Sequence, residues 1–276
     1  MGLAMGLLRV PTAAKVVDSA LLNRLGVQVL RAAVAHRIHD AREVPLRGAA
    51  SDAQLATLDD EGVLAIEGFL PASTFAAVRE AGLELLAQPE PTVHRHGRNR
   101  VLQHKVGADA GALDLLFDHP VVRDLFDWGE RVKVDFARGL RAVEELRQGE
   151  EAGGDPETEL HSDIFFPTHK AWLYLDDVTR ASAPFVYVKG SHKMPVARLS
   201  YEYRDSCSGN LRSRRVSKAE LERRDMVESA FEVPANTFVI ANTCGYHRRL
   251  MGSPGARRRG VHMSHRRNPF LPRFGS

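Results

Sequence analysis

The feature that most constrains this chain is a histidine and an aspartate two residues apart, His161 and Asp163, within residues 159–166. That stretch reads as a β-strand, and side chains alternate across a strand, so both groups project from one face and can grip one metal ion. Short polar pairs of this kind are common, so a third ligand is required. His247 is the candidate, because the apolar run at 236–247 reads as a buried strand that ends at its imidazole.

Two histidines and a carboxylate on one face, with other positions open, are the ligand set of non-haem Fe(II) oxygenases. Arg258 follows within the basic run Arg257, Arg258, Arg259. A guanidinium there can pair bidentately with the far carboxylate of a keto-acid cosubstrate whose near end chelates the iron. Strand alternation turns Arg257 and Arg259 to the opposite face.

With these residues in place the chain resembles the phytanoyl-CoA dioxygenase-like family of Fe(II)/2-oxoglutarate oxygenases. Residues 170–178 are similar to the family's strand after the His-x-Asp, and Gly190, Ser191, His192 and Lys193 to its Pro-Gly-Ser-His turn. The likeness runs from about Asp60 to Phe270. Two positions depart from the pattern: Ser182-Ala183 stands for the usual Asn-Gly, and Lys189 for the proline of the turn. Both lie in turns, outside the ligand set.

The resemblance implies a double-stranded β-helix, or jelly-roll, with helices packed on it, an α+β arrangement that is mainly β. It implies Fe(II) held by His161, Asp163 and His247, with 2-oxoglutarate and dioxygen as cosubstrates. Arg258 would bind the cosubstrate carboxylate, Trp172 would lie against it, and Lys105 matches loosely a lysine sent toward it. Related halogenases carry a small residue in place of Asp163, so the acid reads as a hydroxylase. The N-terminal segment, the strand at 161–168 and the ending at 265–270 look like the bacterial branch that includes hydroxylases of Kdo, the acidic sugar of lipopolysaccharide. A free secondary metabolite or acyl chain is the rival substrate, and a non-catalytic cupin-like metal protein or an oxygenase-like pseudoenzyme the rival class. The arginine after the distal histidine favours the oxygenase, since a plain cupin has no use for it.

With 276 residues, 43% hydrophobic and 26% charged, and no internal repeat, the chain has the composition of a soluble globular protein. The reading divides it into an amphipathic helical segment at 1–48 and an oxygenase domain at 60–270. Its two cysteines, Cys207 and Cys244, exclude a disulfide framework and fit a reducing cytoplasm. Cys244 reads as a small buried residue despite its closeness to His247. The apolar start, Met1 to Leu8, lacks a basic region before it, and no run reaches the ~18 apolar residues of a membrane span.

Arginines cluster at 95–100, 212–215 and 257–259. Such clusters mark a solvated face or an anionic partner; a small-molecule or glycolipid substrate is expected, and nucleic acid is not. Residues 13–38 read as a helix with Arg24, Gln28 and Arg31 on one face, either packed on the domain or lying on an anionic membrane surface.

Further expectations are a charged connection at 40–58, a strand at 62–70, and a helix capped by Ser73. A basic loop carrying His94, Arg95, His96, Arg98 and Arg100 is then followed by strands at 101–106 and 131–136. Residues 140–146 have helical spacing where a jelly-roll wants a strand. The polar excursion at 194–230, with a helix capped by Ser217 and Glu220, is long enough to suggest a substrate cover.

Overall fold

The computed structural model describes residues 16–89, 91–150, 154–208 and 214–271. The described residues begin with helices α1 (Ala20–Arg24), α2 (Val27–Asp40) and α3 (Asp52–Glu61), strand β1 (Val63–Ile66), helix α4 (Ala72–Ala87) and strands β2 (Thr92–His96) and β3 (Asn99–Lys105). Helices α5 (Asp114–Phe117) and α6 (Pro120–Glu130) lead to strands β4 (Leu140–Arg147), β5 (His169–Tyr174) and β6 (Phe185–Val188). Helices α7 (Val196–Cys207) and α8 (Lys218–Arg223) precede strands β7 (Glu228–Ala230), β8 (Phe238–Asn242), β9 (His247–Arg249) and β10 (Arg257–His265).

Seven strands form one sheet in the order β1-β8-β5-β10-β4-β3-β2, and three form a second in the order β7-β6-β9. All the pairings are antiparallel. Among the described residues the two sheets are not joined by strand pairing into a closed barrel.

Alternation along the central strands divides the large sheet into two faces. One face, with Val143, Ala171, Leu173, Phe238, Ile240, Val261 and Met263, packs under the helices against Val78, Leu116, Phe117, Leu125 and Phe126 in the main core. Tyr174, Val239 and Ala241 alternate onto the other face, where Phe185 and Tyr187 of the small sheet meet them in a smaller core. The helices follow from local signals. Pro120 opens α6, whose Val122, Leu125 and Phe126 are buried, and Arg131 in the left-handed region ends it.

Several local expectations are corrected. The connection at 40–58 contains α3, because Ser51 and Gln54 form a reciprocal capping box and Leu55 and Leu58 supply a buried stripe. The basic loop is the hairpin β2–β3, turning at Gly97 with φ 58°; a Cβ there would lie 1.5 Å from the Gly154 carbonyl oxygen. Its first strand is exposed almost throughout, so no apolar alternation marks it. Residues 131–136 form a turn leading into a 3-10 helix, with Val134 N–H held by Asp127. Residues 140–147 are the strand β4, whose helical spacing comes from burial on both faces. Pro71, not Ser73, is the N-cap of α4, and Ser217 precedes α8 without a side-chain capping bond.

The N-terminal segment packs the reverse of its expected amphipathic stripe. Asn23, Gln28, Arg31, His36 and His39 are buried, whereas Leu21, Leu25 and Leu30 are 67, 70 and 65% exposed. Arg31 is 5% exposed and lies 3.9 Å over the Phe165 ring, so it cannot face a lipid surface. Gly26, with φ 78°, separates α1 from α2 inside the expected helix. Met1 to Leu8, the start of that helix at 13–15, and Arg212 of the second arginine cluster lie outside the described residues.

Candidate active site

His161 and Asp163 do not lie on a regular strand. Residues 159–166 form an irregular segment with several bends, in which His161 is held by isolated bridges to Arg215 and His247. His161 N–H donates to His247 O and His247 N–H to His161 O, which sets the two imidazole-bearing backbones side by side. Asp163 N–H donates to Thr243 O, in the turn between β8 and β9.

The three side chains converge. His161, Asp163 and His247 each offer a ligand atom within 4.8 Å of the others, a set suited to a metal ion. Asp163 Oδ1 lies 3.8 Å from His161 Nε2 and 3.6 Å from His247 Nε2. His161 Nδ1 contacts Glu159 O at 2.8 Å and His247 Nδ1 contacts Gly245 O at 3.0 Å. A carbonyl only accepts, so each ring carries its proton on Nδ1 and presents a bare Nε2 lone pair toward Asp163. This is the tautomer a metal ligand needs. Burial, with His247 beside it, pulls the His161 pKa down to about 4, keeping that lone pair available. Burial pushes Asp163 up, but Lys170 and His247 outweigh it and hold the carboxylate ionised well below its usual range.

Beside His161 and His247 is a cavity of about 100 Å³ lined also by Lys170, Trp172, Phe185, Arg249 and Arg258, among others. A neighbouring space of about 120 Å³ shares Trp172, Arg249 and Arg258 and adds Tyr174, Glu144 and His262. Arg258 donates to Ala183 O, at the position where the family pattern has glycine; Ala183 takes φ 61° there. Arg257 and Arg259 point to Glu145 and Asp176 instead. Trp172 stacks on His262 at 5.2 Å between centroids. Lys105 is exposed beside Ala142 and is not among the residues lining either space.

Sequence reasoning missed several residues here. Lys170 Nζ lies 2.7 Å from Asp163 Oδ2; its separation of two from Trp172 is the available signal for a shared face. Glu144, pushed up by burial yet held down to about 2 by His262 and Gln103, forms a buried polar network on the same face. Arg249 pairs bidentately with Asp155. Cys244, by contrast, is fully buried as its sequence reading expects, with its thiol pushed up to about 11 by burial, and its Sγ contacts His36. A larger cavity, about 640 Å³ between α2 and the turn at Gly190, lies apart from this chemistry; ligand geometry, not size, locates the site.

A fold of two antiparallel sheets with a two-histidine, one-carboxylate cluster defines a class, the iron-dependent oxygenases. The family model for phytanoyl-CoA dioxygenase (PhyH) matches residues 58–228, and the chain belongs to that family. It is an Fe(II)- and 2-oxoglutarate-dependent dioxygenase-type enzyme. Among solved structures it is similar to EctD from S. alaskensis in its apoform, at 13% identity and TM-score 0.55, covering 80% of this chain and 79% of that one. It is also similar to the non-heme alpha ketoglutarate dependent epimerase SnoN from nogalamycin biosynthesis, at 16% identity and TM-score 0.52, covering 82% and 91%. Comparison with curated proteins gives no match.

Proposed function

We propose that the chain is an Fe(II)/2-oxoglutarate-dependent hydroxylase in which His161, Asp163 and His247 hold the metal and Arg258 binds the far carboxylate of 2-oxoglutarate. The observation that carries this is the pair of bare Nε2 atoms facing Asp163 Oδ1, beside a cavity that Arg258 and Trp172 line. Iron with 2-oxoglutarate and dioxygen supplies the oxidising power for an unactivated C–H bond, which side chains lack. The protein supplies geometry. Glu159 O and Gly245 O fix the two rings, Lys170 holds the outer oxygen of Asp163, and Trp172 and Phe185 wall the cavity against water. An aspartate rather than a small residue at 163 supports hydroxylation over halogenation.

For the substrate we infer an acidic sugar, Kdo on a lipid A precursor, hydroxylated at C3. Support comes from the likeness of the strand and ending noted above and from the cationic lining by Lys170, Arg248, Arg249 and Arg258. The exposed apolar side of α1 and α2, with Val196 of α7 and Arg24 at its edge, would rest on the lipid surface. No helix among the described residues is long and apolar enough to cross a membrane. A free small molecule is the second reading, favoured by the modest cavity and by the fold shared with SnoN, which has been crystallised with Fe3+, alpha ketoglutarate and nogalamycin RO. Mass spectrometry of Kdo-lipid A incubated with enzyme, iron and 2-oxoglutarate separates the two. One added oxygen on the sugar supports the first; oxidation of the acyl chains alone, or turnover only of a soluble metabolite, rejects it.

A further inference from the structure

The excursion between β6 and β8 holds a buried ionic cluster that the chemistry above does not use. Arg198 and Glu202 lie one turn apart on α7, and Arg214 follows in the chain; all three are buried, Arg198 completely. Glu202 Oε1 accepts from Arg198 Nε at 3.1 Å and Nη2 at 2.9 Å, and from Arg214 Nη2 at 2.8 Å. Its Oε2 accepts from Arg214 Nη1 at 3.3 Å. Burial pushes Glu202 up, yet Arg214 and Arg198 hold it at about 2, so the carboxylate is charged.

Each arginine reaches past Glu202 to a different ligand-bearing segment. Arg214 Nε donates to Ser162 Oγ at 2.9 Å, and Ser162 is the residue between His161 and Asp163. Arg198 donates to Cys244 O at 3.4 Å and lies 4.1 Å over the Tyr246 ring, in the turn that delivers His247. It also donates to Ser191 O at 2.6 Å, while Ser191 Oγ accepts from Tyr246 N–H. One carboxylate therefore joins the segment carrying two of the proposed ligands to the segment carrying the third.

We propose that Glu202, through Arg214 and Arg198, is a positioning residue that sets the separation of the His161-Asp163 segment from His247. This rests on the reading of the trio as a metal site. The excursion then acts as a brace built behind the ligands, and its buried charges have a reason to be retained where apolar residues would pack without desolvation cost. Residues that orient metal ligands from outside the coordination sphere typically change metal affinity ~10- to 100-fold when removed.

The two arms can be cut separately. Arg214→Met removes one arm but leaves the Arg198–Glu202 pair intact and relieves crowding of like charges. Ser162→Ala cuts the same bond from the other side with little change in volume. Co(II), followed by its visible absorption, is the metal probe, and thermal unfolding of the metal-free protein reports the fold. Both variants should stay folded, bind Co(II) ~10-fold or more weakly, and show an altered Co(II) spectrum. Their double variant should be no weaker than Arg214→Met alone, because the bond that Ser162→Ala removes is already absent there. Glu202→Gln should loosen both arms and weaken Co(II) most. Folded Ser162→Ala with wild-type affinity and spectrum would overturn the brace, even if Arg214→Met fails to fold. Wild-type protein that takes up no Co(II) would instead overturn the metal reading, and the brace with it.

Discussion

The two faces of the seven-stranded sheet are written in the same strands, one residue out of phase, yet they do opposite work. Leu173 faces the helices in the apolar core, while its neighbours Trp172 and Tyr174 face the cavity with Arg258 and His262. One face gains stability from burial alone. The other keeps Lys170, Glu144 and Arg258 in a low-dielectric space, where each must be matched by a partner. The period of two thus separates what holds the molecule together from what it does, and variants on the two faces should fail differently.

The sharpest contrast is expected from the ligands. His161→Ala should abolish Fe(II) binding and turnover, while the unfolding midpoint of the metal-free protein stays near wild type; calorimetric metal titration and circular dichroism check both. Leu173→Ala, one layer away on the helix side, should do the reverse. Fully buried, it should cost ~2–5 kcal/mol in urea unfolding, with metal affinity of the folded fraction unchanged. Arg258→Ala should leave metal binding intact and weaken 2-oxoglutarate by ~10- to 100-fold, since a charge-assisted bond contributes ~1.5–3 kcal/mol.

Acidity probes a third, smaller effect. Burial lowers His36 to about 3 and His192 to about 4, so both are neutral in the folded state while the unfolded chain takes up their protons below about 6.5. Their contribution is present above that value and is lost as pH falls toward 4 and then 3. Glu130, pushed up by burial but held at about 2 by His169 and His265, adds loss over a lower window, from about 4.5 downward. The urea midpoint of the metal-free protein should therefore fall between pH 7 and pH 5, and a flat profile would contradict the burial of these imidazoles. The least effect on stability is expected from Leu25→Glu with Leu30→Glu on the exposed side of α1 and α2; vesicles of anionic lipid should lose the protein if that side rests on membrane. Substitution is the right tool, because α2 packs Ala32 and Ala35 against Phe165 and its removal would open the core.

How much is legible in the sequence follows from the same alternation. His247 and Arg258 sit on or beside regular strands, and their spacing places them. Spacing also finds His161 and Asp163, although their segment is irregular and held by backbone bonds to Arg214, Thr243 and His247 that no local pattern announces. Strand β4 is ambiguous because burial on both faces erases alternation, and β2 reads as a loop because exposure on both faces does the same. Arg31 shows the limit most plainly. A basic residue on a helix reads as solvent-facing, yet it is buried on Phe165 beside the cluster around Glu202, partners that lie more than a hundred residues away.

The central claim is that the cavity face of the sheet binds iron and 2-oxoglutarate together. Anaerobic titration of the protein with Fe(II) and then 2-oxoglutarate tests it most directly. A weak visible charge-transfer band should grow in wild type, be absent in His161→Ala, and require more 2-oxoglutarate in Arg258→Ala. No band in wild type, with no succinate formed in air from any substrate tried, would leave a protein with the shape of an oxygenase and none of its chemistry.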